Sequence, residues 1–176
     1  TPRKGQAEMI RAMPAILERH PDACYIIAGA GDDERRLREL VLKMGLERKV
    51  VFAGEIPEEV KLSLLDLCEV YVLPSRREGQ RVEGLGIGLL EAGARGKPLV
   101  AGRHGGIGEI IQEGENGILL DASRPSELAR GLTKVLDDPE LASALGRSAR
   151  KTVRAKFLAG RMARASLEAM EEILTP

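Results

Sequence analysis

The sequence predicts an α/β fold with a Rossmann-like, doubly wound parallel sheet. Short apolar runs that suit strands alternate with segments of helical period as far as Leu120. Glycines follow several of these runs, at the points where a strand would turn into a helix. The strand pattern ends before Pro125, so extra helices are expected at the C-terminal end.

The predicted strands are short and continuously apolar, as buried parallel strands are. They cover Cys24–Ala28, Val50–Ala53, Val70–Leu73, Leu99–Ala101 and Ile118–Leu120. We expect the first strand to be covered on both faces. Cys24 lies in that strand and Cys68 on a helix face, without metal-ligand spacing, so both are predicted to be buried, reduced thiols.

The helices between the strands follow from apolar residues at helical spacing. The first carries Met9, Ile10 and Met13 before Pro21, and the second ends near a predicted capping residue, Gly45. The last of the helices after Pro125 carries Leu167, Met170 and Leu174. We expect these C-terminal helices to pack on the sheet.

Composition excludes several classes of function. The 27 basic and 27 acidic residues cancel, and the chain has no Trp, so neither duplex nor single-stranded nucleic acid is an expected partner. No apolar run approaches a membrane span, and no signal peptide is visible. A cytoplasmic location is predicted, and a membrane-peripheral position stays open for a longer protein.

The segment from Glu83 to Glu91 is the most informative for function. Its glycines allow backbone N–H groups to approach a ligand closely at the start of a helix. Glu83 is predicted to precede that helix and Glu91 to lie about one and a half turns inside it. Amides for a phosphate and carboxylates for hydroxyls suit a phosphorylated sugar. A glycine-rich turn with two solvated glutamates is the alternative.

The surrounding motifs carry a family resemblance that covers essentially the whole chain. In order, they are Arg3-Lys4-Gly5-Gln6, Pro74–Gly79, the two-glutamate segment, Ala92–Val100, Gly105–Glu109 and Glu113–Leu119. Together they resemble the C-terminal, donor-binding half of retaining GT-B glycosyltransferases, the glycosyl transferases group 1 family. The stretch Arg81–Ile87 followed by Ala101–Arg103 looks most like the mannosyltransferase branch.

This resemblance implies that residues 1–176 form one domain that binds a nucleotide-diphospho-sugar, GDP-mannose or a UDP-sugar. By resemblance Lys4 contacts the donor pyrophosphate, Glu83 the sugar hydroxyls and Glu91 the ribose hydroxyls. Backbone groups would hold phosphate or sugar oxygens at Gly84, Leu85, Gly86 and Ile87. The family often has an aromatic residue where Leu85 stands. No metal ion and no other cofactor is expected.

The family also has a strand and an Arg before the lysine loop, and an N-terminal acceptor domain; all are expected upstream of Thr1. We therefore expect a gap between the strands at Cys24–Ala28 and Val70–Leu73, and an inactive chain when it is isolated. The acceptor stays open among lipids, small molecules and polysaccharides.

Several further residues have weaker signals. Gly29, Gly31 and the segment Gly54–Ile56 follow strands, where open sheets bind ligands. Arg76 and Arg81 either bind phosphate or pair with Glu78 or Glu83. His104 is interpreted as an exposed polar loop residue rather than an acid/base group.

Three alternative functions remain open. The first two are a nucleotide-sugar epimerase and a sugar-phosphate synthase of the same architecture. The third is a non-catalytic Rossmann-like binding domain, such as a flavodoxin-like receiver. A receiver needs a phosphorylatable aspartate, for which Asp32-Asp33 is the candidate.

Overall fold

The computed structural model describes residues 2–80 and 82–174. Within these ranges the strands are β1 (Tyr25–Ala28), β2 (Val50–Gly54), β3 (Tyr71–Leu73), β4 (Leu99–Gly102) and β5 (Ile118–Leu120). After a 3₁₀ turn at Pro2–Lys4, the helices are α1 (Gln6–Leu17), α2 (Glu34–Lys43), α3 (Glu58–Leu67), α4 (Ile87–Ala94), α5 (Ile107–Ile110), α6 (Pro125–Asp137), α7 (Pro139–Lys156) and α8 (Ala159–Leu174). Each predicted strand is present, with ends that differ by at most one residue.

The strands pair in parallel, as the alternation of strands and helices predicts. β1 pairs with β2, and β3, β4 and β5 pair in that order. Val100 of β4 lies opposite Val72 of β3 on one side and Ile118 of β5 on the other. The α/β, Rossmann-like prediction is confirmed.

Helices cover both faces of the β3–β4–β5 sheet. This is evident because successive residues of β4, whose side chains point to opposite faces, belong to different apolar clusters. Leu99 and Ala101 pack with Leu89 of α4 and Ile107 of α5. Val100 belongs to the other cluster, which includes buried residues of α1 and α6. This packing fixes the position of α4, the helix that carries Glu91, on one face of the sheet.

A gap separates the two sheets. β1 and β3 are not paired with each other, and a cavity of about 1060 Å³ is lined by both strands and by residues of α1, α3 and α6. The predicted gap is therefore confirmed, and what fills it stays a prediction. Ile26 lines this cavity and is 41% exposed, so the expectation that the first strand is covered on both faces is wrong.

The C-terminal helices pack only in part as expected. α6 packs on α1 and β5, and α7 packs on α4 and β4. In α8, by contrast, Leu167, Met170 and Leu174 are exposed, so the expected packing of this helix on the sheet is wrong. An amphipathic period specifies a helix with one apolar face, but it does not specify what covers that face.

The prediction that both thiols are buried is also wrong. Cys24 precedes β1 and is exposed, whereas Cys68 is half-buried and its thiol lies 3.4 Å from the carbonyl oxygen of Leu65. Burial raises the pKa of the Cys68 thiol. Cys24 lines the cavity, so its exposure has the same origin as that of Ile26.

Among the residues described, no helix combines the length and the apolar character that crossing a bilayer requires.

Candidate functional site

Two loops lie against each other at the carboxyl ends of β3 and β4. The described part of the first loop covers residues 74–80 and 82–86, and the second loop runs from residue 103 to 106. The N–H of Gly106 donates to the carbonyl oxygen of Glu83 at 3.2 Å. A Cβ on Gly105, whose φ is +57°, would stand 2.1 Å from the same oxygen. Only glycine fits this approach, so the second loop fixes the backbone of Glu83.

The Glu83 side chain is the centre of an ion cluster. It is buried, and Lys4 Nζ donates to its Oε1 at 3.0 Å and to its Oε2 at 2.8 Å. Arg3 Nη1 donates to Oε2 at 2.8 Å. The carbonyl of Arg3 in turn accepts from the N–H of Arg76 at 2.9 Å, which holds this segment against the end of β3. The structure thus brings together Lys4 and Glu83, two of the candidate residues, and adds Arg3.

This cluster keeps Glu83 ionised. Burial raises the pKa of the carboxyl, but the hydrogen bonds and charges of Lys4 and Arg3 outweigh burial and hold that pKa below its usual range. Two cations face one carboxylate, so the cluster has an excess of positive charge. Such a cluster attracts an anion while it keeps a buried acceptor for hydroxyl groups.

The N-terminus of α4 lies directly after this loop. Gly86 is its N-cap, with a φ of +72°. A Cβ on Gly88 in the first turn would stand 2.1 Å from the hydroxyl oxygen of Tyr71, so glycine lets the helix lie on that ring. The first amides of a helix have no intrahelical acceptor, and the helix dipole favours an anion there.

The predicted backbone segment begins beside Glu83 and extends into the first turn of α4. The carbonyl of Gly84 contacts the second loop, where a Cβ on Gly106 would stand 2.1 Å from it. Leu85 and Ile87 expose 36% and 68% of their surface. The exposure of these side chains leaves this segment open to a ligand.

Glu91 lies one turn into α4, slightly nearer its start than predicted. Its Oε1 accepts from Lys61 Nζ of α3 at 2.7 Å, and Lys61 Nζ also lies 2.9 Å from Oε2 of Glu58. The hydrogen bonds to Glu91 and then to Glu58 raise the pKa of Lys61. The two predicted glutamates therefore have separate cationic partners, Glu83 with Lys4 and Glu91 with Lys61.

The cavity between the sheets reaches the edge at which the strands have their carboxyl ends. Lys4, Lys61 and Glu91 line it together with residues that follow β1 and β2, namely Gly29, Ala30, Gly31 and Ile56. The glycines singled out at the strand ends thus lie on the same crevice as the charged residues. This is the edge at which doubly wound sheets bind ligands.

His104 is more deeply placed than the sequence suggests. Its Nε2 lies 3.2 Å from Oγ of the buried Ser75, while its Nδ1 is buried without a hydrogen-bond partner among the described residues. Burial lowers the pKa of the imidazole. The interpretation of an exposed loop histidine is wrong, because the second loop folds onto the loop that carries Glu83.

The remaining candidates have other partners. Arg76 Nη2 lies 3.7 Å from Oε1 of Glu8 in α1, instead of pairing with Glu78 or Glu83. Arg81 lies outside the described residues. Asp33, half of the receiver-like candidate, accepts two hydrogen bonds from Arg36 of its own helix, at 2.6 and 2.8 Å.

Sequence reasoning missed Arg3 and Lys61. Arg3 directly precedes Lys4, so two adjacent cations were a usable signal, although the partner arginine was expected upstream of Thr1. Lys61 has no such signal, because it is 30 positions from Glu91 and meets it only through the packing of α3 beside α4.

A family model and individual relatives indicate the same protein family for this chain. The profile of the family "Glycosyl transferases group 1" matches residues 1–152. The chain is 37% identical over 147 residues to a GDP-mannose-dependent alpha-(1-6)-phosphatidylinositol monomannoside mannosyltransferase of Mycolicibacterium smegmatis, which covers 82% of this chain and 38% of that protein. It is 35% identical over 158 residues to a related mannosyltransferase of Corynebacterium glutamicum, covering 89% of this chain and 41% of that protein. The chain thus spans about two fifths of the length of these relatives.

Solved structures agree in fold. A sucrose-phosphate synthase from Thermosynechococcus elongatus superposes with a TM-score of 0.86 at 27% identity, over 98% of this chain and 43% of that one. The C-terminal domain of a glycosyl transferase group 1 family protein from Francisella tularensis superposes with a TM-score of 0.78 at 25% identity, over 90% of this chain and 82% of that one. An Anabaena protein in complex with UDP-glucose superposes with a TM-score of 0.86 at 24% identity, over 98% of this chain and 46% of that one, a likeness of fold alone.

Proposed function

We propose that this chain, which belongs to the glycosyl transferases group 1 family, binds the nucleotide-diphospho-sugar donor of a retaining glycosyltransferase. One observation carries the proposal. A buried, ionised glutamate, Glu83, is held by Lys4 and Arg3 directly before the N-terminus of α4, and Glu91 lies one turn further on. Lys4, Lys61 and Glu91 line the crevice between the sheets, and Lys4 links that crevice to Glu83 before α4.

The diphosphate is assigned to Lys4, Arg3 and the first amides of α4. Negative charge grows on the leaving phosphate as its bond to the anomeric carbon of the sugar lengthens. Fixed cations and helix amides stabilise that charge more in the transition state than in the bound donor, which is the condition for catalysis. Because these groups supply the positive charge themselves, no metal ion is needed in this scheme.

The carboxylates are assigned to the hydroxyl groups. An ionised carboxylate only accepts hydrogen bonds, so Glu83 accepts them from hydroxyls of the donor sugar, next to the cations that bind the diphosphate. Glu91 lies further along α4 and accepts from the ribose hydroxyls. This division follows the separate partners of the two residues and the resemblance of the motif.

The donor is proposed to be GDP-mannose or a UDP-sugar. Two of the relatives are named as GDP-mannose-dependent mannosyltransferases, and the Anabaena structure holds UDP-glucose. The base itself is not assigned, because the residues that line its end of the crevice, such as Ile56, are apolar and suit either base.

Saturation-transfer NMR on the purified protein tests the proposal. With GDP-mannose and UDP-glucose in the presence of a chelator, we expect saturation on both ribose and hexose protons of at least one donor. Saturation of the nucleotide alone would indicate a nucleotide-binding module without a donor-sugar site. In a full enzyme that includes an acceptor domain, retention predicts that the product keeps the anomeric configuration of the donor, which the coupling constant of the anomeric proton measures.

A further inference from the structure

The Lys61–Glu91 pair lies at the same crevice but is separate from the Glu83 cluster. Lys61 comes from α3 and Glu91 from α4, with Nζ and Oε1 2.7 Å apart. Each side chain is 32% exposed. Pairs exposed to this extent contribute little to folding stability, so the fold does not explain the contact.

The contact restricts Glu91 without saturating it. A carboxylate offers about four acceptor positions, and Lys61 uses one of them on Oε1. Among the described residues, no hydrogen bond reaches Oε2 of Glu91. The second contact of Lys61, to Glu58 on its own helix, fixes the ammonium from the other side at 2.9 Å. One oxygen of Glu91 is thus tethered and the other is open to a ligand.

We propose that Lys61 is a positioning residue for the nucleotide, holding Glu91 in the rotamer in which its carboxylate accepts hydrogen bonds from the ribose hydroxyls. This inference rests on the proposed function, in which Glu91 binds ribose. Lys61 acts through Glu91, because the tethered side chain loses less rotamer freedom when a ligand binds. The hydrogen bonds of the tether raise the pKa of Lys61, the direction that favours its charged form.

The size of the effect follows from the freedom that the tether removes. Immobilising one side chain on binding corresponds to a change in affinity of about 2- to 10-fold. The change should appear only for ligands that use Glu91. A 2′-deoxynucleotide lacks one of the two hydroxyls that the carboxylate would bind, so its affinity should depend much less on the tether.

Calorimetric titration of the purified protein with UDP, GDP and their 2′-deoxy analogues tests the inference. Lys61→Met should weaken the ribonucleotide by about 2- to 10-fold and change the deoxy analogue by less than about 2-fold. Lys61→Arg should restore most of the loss. In a Glu91→Gln background, Lys61→Met should cause no further loss, because the two residues act as one unit.

Lys97→Met is the matched control. Lys97 Nζ donates to the carbonyl of Asp66 at 2.6 Å, and Lys97 precedes β4, at the opposite edge of the sheet. Its loss removes the same charge at the edge of the sheet opposite to the Lys61–Glu91 pair and should leave all affinities unchanged.

Three outcomes overturn the inference. Lys61→Met could leave ribonucleotide affinity unchanged, weaken both kinds of nucleotide equally, or tighten ribonucleotide binding because Lys61 competes with ribose. In each case a selective loss in Glu91→Gln would show that the proposed function still stands. A wild-type protein that binds none of the nucleotides overturns the proposed function itself.

Discussion

Lys4 and Glu83 are 79 positions apart in the sequence, yet the Lys4 ammonium donates to both oxygens of the Glu83 carboxylate, at 3.0 and 2.8 Å. The contact joins the turn before α1 to the loop after β3. A phosphate that binds Lys4 competes with this contact, so Lys4 exchanges one oxygen partner for another. In the proposed donor site, this exchange would leave the Glu83 carboxylate able to accept hydrogen bonds from sugar hydroxyls.

The Glu83 cluster should make stability depend on pH. The pKa of Glu83 is lowered in the folded protein, so its contribution is present above the unfolded value near 4.5 and is lost as the pH falls through the folded value. Glu83→Gln should therefore destabilise the protein at pH 7, by about 1–3 kcal/mol, the range for hydrogen bonds to a charged group. Urea unfolding of both proteins from pH 7 to pH 3 should show the difference shrinking. A difference that is constant over this range would contradict the assignment.

The two glutamates should separate in binding assays. Glu91→Gln should weaken UDP or GDP by about 1–3 kcal/mol, because it removes hydrogen bonds to a charged acceptor. Glu83→Gln should leave nucleotide affinity nearly unchanged while it abolishes sugar transfer in a full enzyme that includes an acceptor domain. Glu140→Gln, at an exposed position of α7, is the control. Equal losses of nucleotide affinity in the Glu83 and Glu91 variants would refute the division of labour.

The second loop should be intolerant of a side chain at one glycine. Gly105→Ala combines a positive φ with a Cβ placed 2.1 Å from the Glu83 carbonyl oxygen, whereas Gly114 has a similar φ of +78° with nothing within 4 Å. Gly114→Ala should cost about 1–2 kcal/mol from backbone strain alone. Gly105→Ala should cost about 1–3 kcal/mol more from overpacking. Equal losses in urea unfolding would show that the contact between the loops yields freely.

Within the described part of the chain, the gap between β1 and β3 leaves one backbone edge of each strand without a partner strand. Unpaired backbone groups are costly where water is excluded. The gap should therefore lower the stability of the chain. An added strand and turn of about ten residues, rich in Val and Ile and placed before Thr1, should raise the calorimetric transition temperature, whereas ten Gly and Ser residues should not. Equal transition temperatures for the two extensions would show that the sheet closes in another way.

The sequence predicts the strands and the parallel arrangement because their signals are local: short apolar runs, glycines at strand ends and helical periods. The family resemblance singled out Lys4 and Glu83 but not their contact, since no local pattern joins residues 79 positions apart. Two kinds of feature could be predicted neither from local sequence patterns nor from the family resemblance. The exposure of Ile26 and Leu167 depends on what covers a surface, and the Lys61–Glu91 contact depends on how two helices pack.

The most direct measurement for the donor site is calorimetric titration of the purified protein with UDP and GDP in the presence of a chelator, alongside the Lys4→Met variant. If Lys4, Arg3 and the amides of α4 hold the diphosphate, at least one nucleotide binds with a Kd below about 1 mM without metal. The same nucleotide should then bind Lys4→Met at least about 10-fold more weakly, which corresponds to one charge-assisted contact. Binding of neither nucleotide below the millimolar range, or binding that the chelator abolishes, would contradict the account.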